Sequence, residues 1–74
     1  MVGRNFWAVP AGEGWEVRQE GLPDATSRHA SRDEAWRDAN ARAEACHGEA
    51  YLGDGNGGCV ERASHRVLPR KMKI

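Results

Sequence analysis

Ser31–Gly48, SRDEAWRDANARAEACHG, decides how the chain is read, because it alone is long enough for a full helix and carries signals for both of its ends. Ser31 followed three residues later by Glu34 is the capping-box pattern, in which each side chain satisfies an otherwise unpaired backbone N–H. Asp33 and Glu34 also sit at the positive end of the helix dipole. At the far end, after His47, Gly48 is the expected left-handed residue. Between these marks Trp36, Ala39, Ala43 and Cys46 recur at offsets of three, seven and ten, one stripe of a 3.6-residue helix with Ala35 at its margin. Arg37, Asp38, Arg42 and Glu44 take the wet side. One indole among alanines lets the helix backbone lie close to whatever it covers, and only a sheet is available to be covered.

Upstream, Asn5–Pro10 (NFWAVP) is aromatic and β-branched and ends in a proline that cannot continue a central ladder. The turn Ala11–Gly14 leads into Trp15–Glu20 (WEVRQE), which alternates with a period of two: Trp15, Val17 and Gln19 on one face, Glu16, Arg18 and Glu20 on the other. These segments form a β-hairpin. After the turn Gly21–Asp24, the polar Ala25–Ala30 is expected as a third strand. Beyond the helix, Glu49–Gly53 (EAYLG) and Cys59–His65 (CVERASH) pair across the glycine-rich Asp54–Gly58. The expected fold is α+β: an antiparallel β-sheet with one helix packed on one face, in the order β-β-β-α-β-β. Residues 1–65 form the single domain, and residues 66–74 a flexible basic tail.

A chain of 74 residues buries only about 60% of its unfolded surface, which leaves dimerisation as an open route to further burial. Hydrophobic residues at 39% and charged residues at 30% are ordinary for a folded domain and argue against disorder. No apolar run approaches the roughly 18 residues of a membrane span, and no charged-then-apolar leader opens the chain, so no membrane association and a cytoplasmic location are expected. The net charge is zero but unevenly spread: all 11 acidic residues and only 7 of the 11 basic ones precede position 66. The body is therefore acidic, and Arg66, Arg70, Lys71 and Lys73 make the tail basic. A domain that gripped duplex DNA through its folded surface would show a basic body instead.

The chain resembles a family of small bacterial proteins catalogued as domain of unknown function family 2188. The matching features are Phe6-Trp7-Ala8-Val9-Pro10, a glycine-containing turn, Trp15-x-Val17 with Glu20-Gly21 behind it, the Ser31-x-x-Glu34-Ala35 helix start, the alanine row Ala39 and Ala43, and the Asp54-Gly55 turn. The resemblance spans about residues 5–62 and implies a compact α+β domain without an assigned activity. Gly53–Gly58 is longer and richer in glycine than the usual tight turn of that family. No functional residue is carried over.

Candidate chemistry is weak throughout. GDGNGG is not a phosphate loop, lacking a following Lys-Ser or Lys-Thr and a helix. Nor is it a calcium loop, since Gly58 takes the third ligand position and His65 stands where a bidentate glutamate belongs. Cys46, His47, Cys59 and His65 are zinc-type ligands, but the two cysteines are thirteen positions apart rather than closely paired. Cys59 with His65 or His29 lacks any local device for lowering the thiol pKa or holding an oxyanion. No metal, cofactor or catalytic residue is expected, and the protein is taken as non-enzymatic.

Function is therefore expected on surfaces. Phe6 and Trp7 are adjacent in a strand and must point to opposite faces. If Trp7 and Val9 join Trp15 and Val17 under the helix, Phe6 stands on the open face with Glu16, Arg18 and Glu20; a register shifted by one residue exposes Trp7 instead. This face, or an edge strand, is expected to bind a protein partner, in the sharpest version as a phage or mobile-element inhibitor of a host complex, of the anti-CRISPR kind. The alternative is a nucleic-acid-binding domain that uses the sheet together with Arg66, Arg70, Lys71 and Lys73.

Overall fold

The computed structural model describes residues 4–65. Five strands and one helix follow one another as β1 (Asn5–Ala11), β2 (Gly14–Gln19), β3 (Ser27–His29), α1 (Arg32–Cys46), β4 (Glu49–Gly53) and β5 (Cys59–Ser64). They build a single five-stranded sheet in the spatial order β3-β2-β1-β4-β5.

The sheet is mixed, which corrects the expectation of a purely antiparallel one: β1 and β4 pair in parallel, with Asn5 opposite Glu49 and Ala8 opposite Leu52. The cause is the helix. Its 15 residues rise about 22 Å and return the chain to the end of the sheet where β1 begins. Gly48 and Glu49 then dock beside Arg4, the Glu49 N–H donating to the Arg4 carbonyl at 3.1 Å. From there β4 can only run alongside β1 in the same direction. The order across the sheet likewise departs from the order of the chain, since the second hairpin is added on the free edge of β1 rather than beyond β3. β3 is shorter than the six residues expected, because only Ser27–His29 pair with β2.

Both helix ends are stopped as the sequence suggests, but by different atoms. The Ser31 hydroxyl accepts from the Glu34 N–H at 3.3 Å, while the Glu34 carboxylate reaches back to the N–H of Ala30 rather than to that of Ser31. At the C-terminus it is His47, not Gly48, that adopts the left-handed conformation (φ 59°, ψ 41°). Gly48 is needed for a different reason: a Cβ there would run into the carbonyl oxygen of Arg4.

Ala35, Ala39 and Ala43 form the buried stripe of α1, with Trp36 and Cys46 half-buried at its margins. Opposite them the sheet supplies Phe6, Ala8, Val17, Ala50 and Leu52. Five of these eight core side chains are alanine, so the helix lies close to the strands and the interior has little apolar volume. Among the described residues no helix is long and apolar enough to cross a membrane.

Candidate functional site

Alternation along β2 places Trp15 and Val17 toward the helix and Glu16 and Arg18 on the opposite face, as the sequence indicates. Along β1 the preferred assignment is overturned. Phe6 is 5% exposed and belongs to the core, so it is no candidate for contacting a partner. Phe6 pairs with Gln19 and Ala50, and Ala8 with Val17 and Leu52; this register puts the even-numbered residues of β1 over the alanine stripe. Ala8 is fully buried at the centre of this face, and a register with Trp7 and Val9 inward would bring an indole there instead.

Trp7 therefore stands on the open face, where it stacks on Tyr51 of β4 with ring centroids 4.7 Å apart and planes inclined by 19°. Neighbouring strands are about 4.8 Å apart, so two rings this close and this nearly parallel must rise out of the sheet rather than lie flat on it. One face of each is turned to the other, and their edges project. Gly53, buried beside them, leaves room for Val9 and the indole; a Cβ there would lie 2.8 Å from Val9 Cγ1. The register extends this row across four strands, as Arg18–Trp7–Tyr51–Arg62.

The carboxylates of this face are already engaged. Glu16, though on the open face, is covered: its oxygens pair with Arg18 Nε and Arg28 Nη1, each at 3.1 Å, leaving its side chain 9% exposed against 44% and 78% for the two arginines. Glu20 accepts from Asn5 Nδ2 at 3.0 Å. Glu49 accepts from the Tyr51 hydroxyl, and that hydrogen bond, assisted by burial, raises the phenol above its ordinary pKa. Tyr51 and Arg62 are members of the row that the sequence reading missed. Their signal was the alternation of EAYLG, which pairs Tyr51 with Trp7 once β4 is set beside β1.

A second polar cluster ties β3 to α1. Asp38 Oδ2 accepts from Ser27 Oγ at 2.6 Å and from Arg42 Nε at 2.8 Å, and lies 3.3 Å from His29 Nε2, itself 2.9 Å from Ser27 Oγ. Burial pushes the Asp38 carboxyl up, but the hydrogen bonds from Ser27, Arg42 and His29 with the charge of Arg42 outweigh it and hold the group below its ordinary value. Serine, histidine and aspartate meet here without forming a catalytic relay. The serine proton points at the carboxylate, and the carboxylate meets the same imidazole nitrogen as the serine rather than the opposite one.

The remaining candidates lie apart. Cys59 is exposed and directs its thiol to the Glu61 carbonyl, whereas His65 bonds Asn40; six residues of extended chain separate them by about 20 Å. Asp54 Oδ1 accepts from the N–H groups of Asn56 and Gly58, closing its own turn, and those bonds lower its pKa. Among the described residues no group of three or more His, Cys, Asp or Glu is placed to hold a metal. Arg66, Arg70, Lys71 and Lys73 lie outside the described residues.

A family model described as an uncharacterized protein conserved in bacteria, DUF2188, matches residues 6–65, which takes in the helix and every strand but for the first residue of β1. The chain belongs to the DUF2188 family. No curated protein and no solved structure matches it significantly. Membership of DUF2188 fixes the kind of domain and carries no activity with it, so the reading of function rests on the open face.

Proposed function

We propose that this DUF2188 domain is a non-enzymatic protein-interaction module whose partner surface is the open face of the sheet. The observation that carries the reading is the Trp7–Tyr51 stack, two large aromatics held between Arg18 and Arg62 on the face that the helix leaves uncovered. Aromatic and arginine side chains are the types that most often anchor protein interfaces, since they bring large contact area and directed donors together. Of the residues expected to contact the partner, Arg18 and Glu20 are exposed on this face, Glu16 supports Arg18 and Arg28 from beneath, and Trp7 replaces Phe6.

The alternative of nucleic-acid binding draws on the basic residues beyond position 65. Bases stack on exposed ring faces, and each of these rings can offer at most one, the other being turned to its neighbour. The narrower idea of an inhibitor of the anti-CRISPR kind draws on small size and an acidic body. The arginines protruding from this face weigh against its use as a nucleic-acid mimic.

The test is capture of binding proteins from a bacterial extract by the immobilised chain. Trp7→Ala should lose the captured protein, and Arg37→Ala, on the solvent side of the helix, should retain it. Equal capture by Trp7→Ala and the parent chain would remove the open face as the site.

A further inference from the structure

Resting on that reading, we infer that the partner presents an acidic, extended segment to the row Arg18–Trp7–Tyr51–Arg62. The inference comes from which polar groups of the face are already satisfied. Glu16, Glu20 and Glu49 each accept a hydrogen bond from within the domain. The arginines retain donors: Arg18 directs Nε at Glu16 and Nη1 at the Pro23 carbonyl, which leaves Nη2, Arg28 is 78% exposed and directs one nitrogen at Glu16, and Arg62 is exposed and makes no ion pair among the described residues. Of these charged groups three arginines, Arg18, Arg28 and Arg62, are exposed against one carboxylate, Glu20, since Glu16 is buried and Glu49 half-buried.

The spacing narrows the ligand. Arg18 and Arg62 lie three strand intervals apart, about 14 Å at backbone level. In an extended peptide, residues four apart lie about 13 Å from one another and point to the same side. The segment that fits has carboxylates at positions i and i+4 and an apolar side chain at i+2, the carboxylates meeting the guanidinium groups and the apolar residue lying against the aromatic edges. Charge-assisted bonds from arginine to carboxylate give such a contact its direction.

The experiment is fluorescence polarisation on the full chain with labelled nine-residue peptides carrying two glutamates around a central leucine, at separations of two, four and six. Matched glutamine and lysine peptides and a single-stranded oligonucleotide serve as competitors. The four-residue glutamate peptide should bind tightest, and Arg62→Gln and Trp7→Ala should each weaken it by about tenfold. Binding unchanged in Trp7→Ala would assign the acidic peptide to another surface and overturn the inference. Tighter binding of the lysine or glutamine peptide through Trp7 would overturn it while leaving the interaction module standing with a different partner. Stronger binding of the oligonucleotide, or no binding of any glutamate peptide, would also sink it, and the module reading would still be judged by the capture experiment.

Discussion

Phe6 and Trp7 are consecutive residues of β1, yet Phe6 is sealed between sheet and helix while Trp7 stands half-buried against Tyr51 on the uncovered side. The two faces of the sheet are built to different ends. On the covered face five alanines and only three larger apolar side chains share the core, which brings backbones together and leaves few atoms to supply stability. On the open face large aromatics and arginines occupy a surface whose burial the domain itself does not complete. Side chains that contribute most when desolvated sit where this fold leaves them partly wet, and that arrangement suits an interface better than a core.

Substituting the two neighbours should separate these roles. Phe6→Ala removes the largest side chain of a sparse core and should cost about 3–5 kcal/mol in urea unfolding, enough to leave so small a domain close to unfolded. Trp7→Ala should cost only about 1–2 kcal/mol, the loss of one stacking contact and partial burial, while abolishing partner capture. Equal losses of stability from the two would mean that both faces are structural.

A smaller effect concerns the polar clamp behind β3. The folded pKa of Asp38 lies below its ordinary 3.8, so its contribution to stability is complete above that value and fades as pH falls through the folded one. Asp38→Asn should be less stable at neutral pH by about 1 kcal/mol, with a gap that closes in acid. A gap that stayed constant with pH would show that the carboxylate's charge plays no part in the clamp. Smallest of all, His47→Gly should raise stability by about 0.5 kcal/mol by relieving a left-handed residue that carries a Cβ. It should leave capture by the open face unchanged, since His47 lies at the helix end.

Whatever depends on neighbours along the chain was legible in the order of the amino acids. Helix length and the Ser31 cap follow from local spacing, the first hairpin from the alternation of WEVRQE, and the exposure of Arg18 and Glu20 from the same alternation. Tertiary structure alone decided the rest. NFWAVP is apolar on both sides and has no alternation, so which aromatic lies inward was fixed by the register of β1 against Val17, Ala50 and Leu52 and by the closeness of the helix. The parallel pairing of β1 with β4 was likewise hidden, because it joins residues more than forty positions apart through the docking of Gly48 and Glu49 at Arg4. Tyr51 and Arg62 enter the candidate surface only through that pairing. Short-range pattern sets the faces of a strand, and only long-range contact decides which of them meets water.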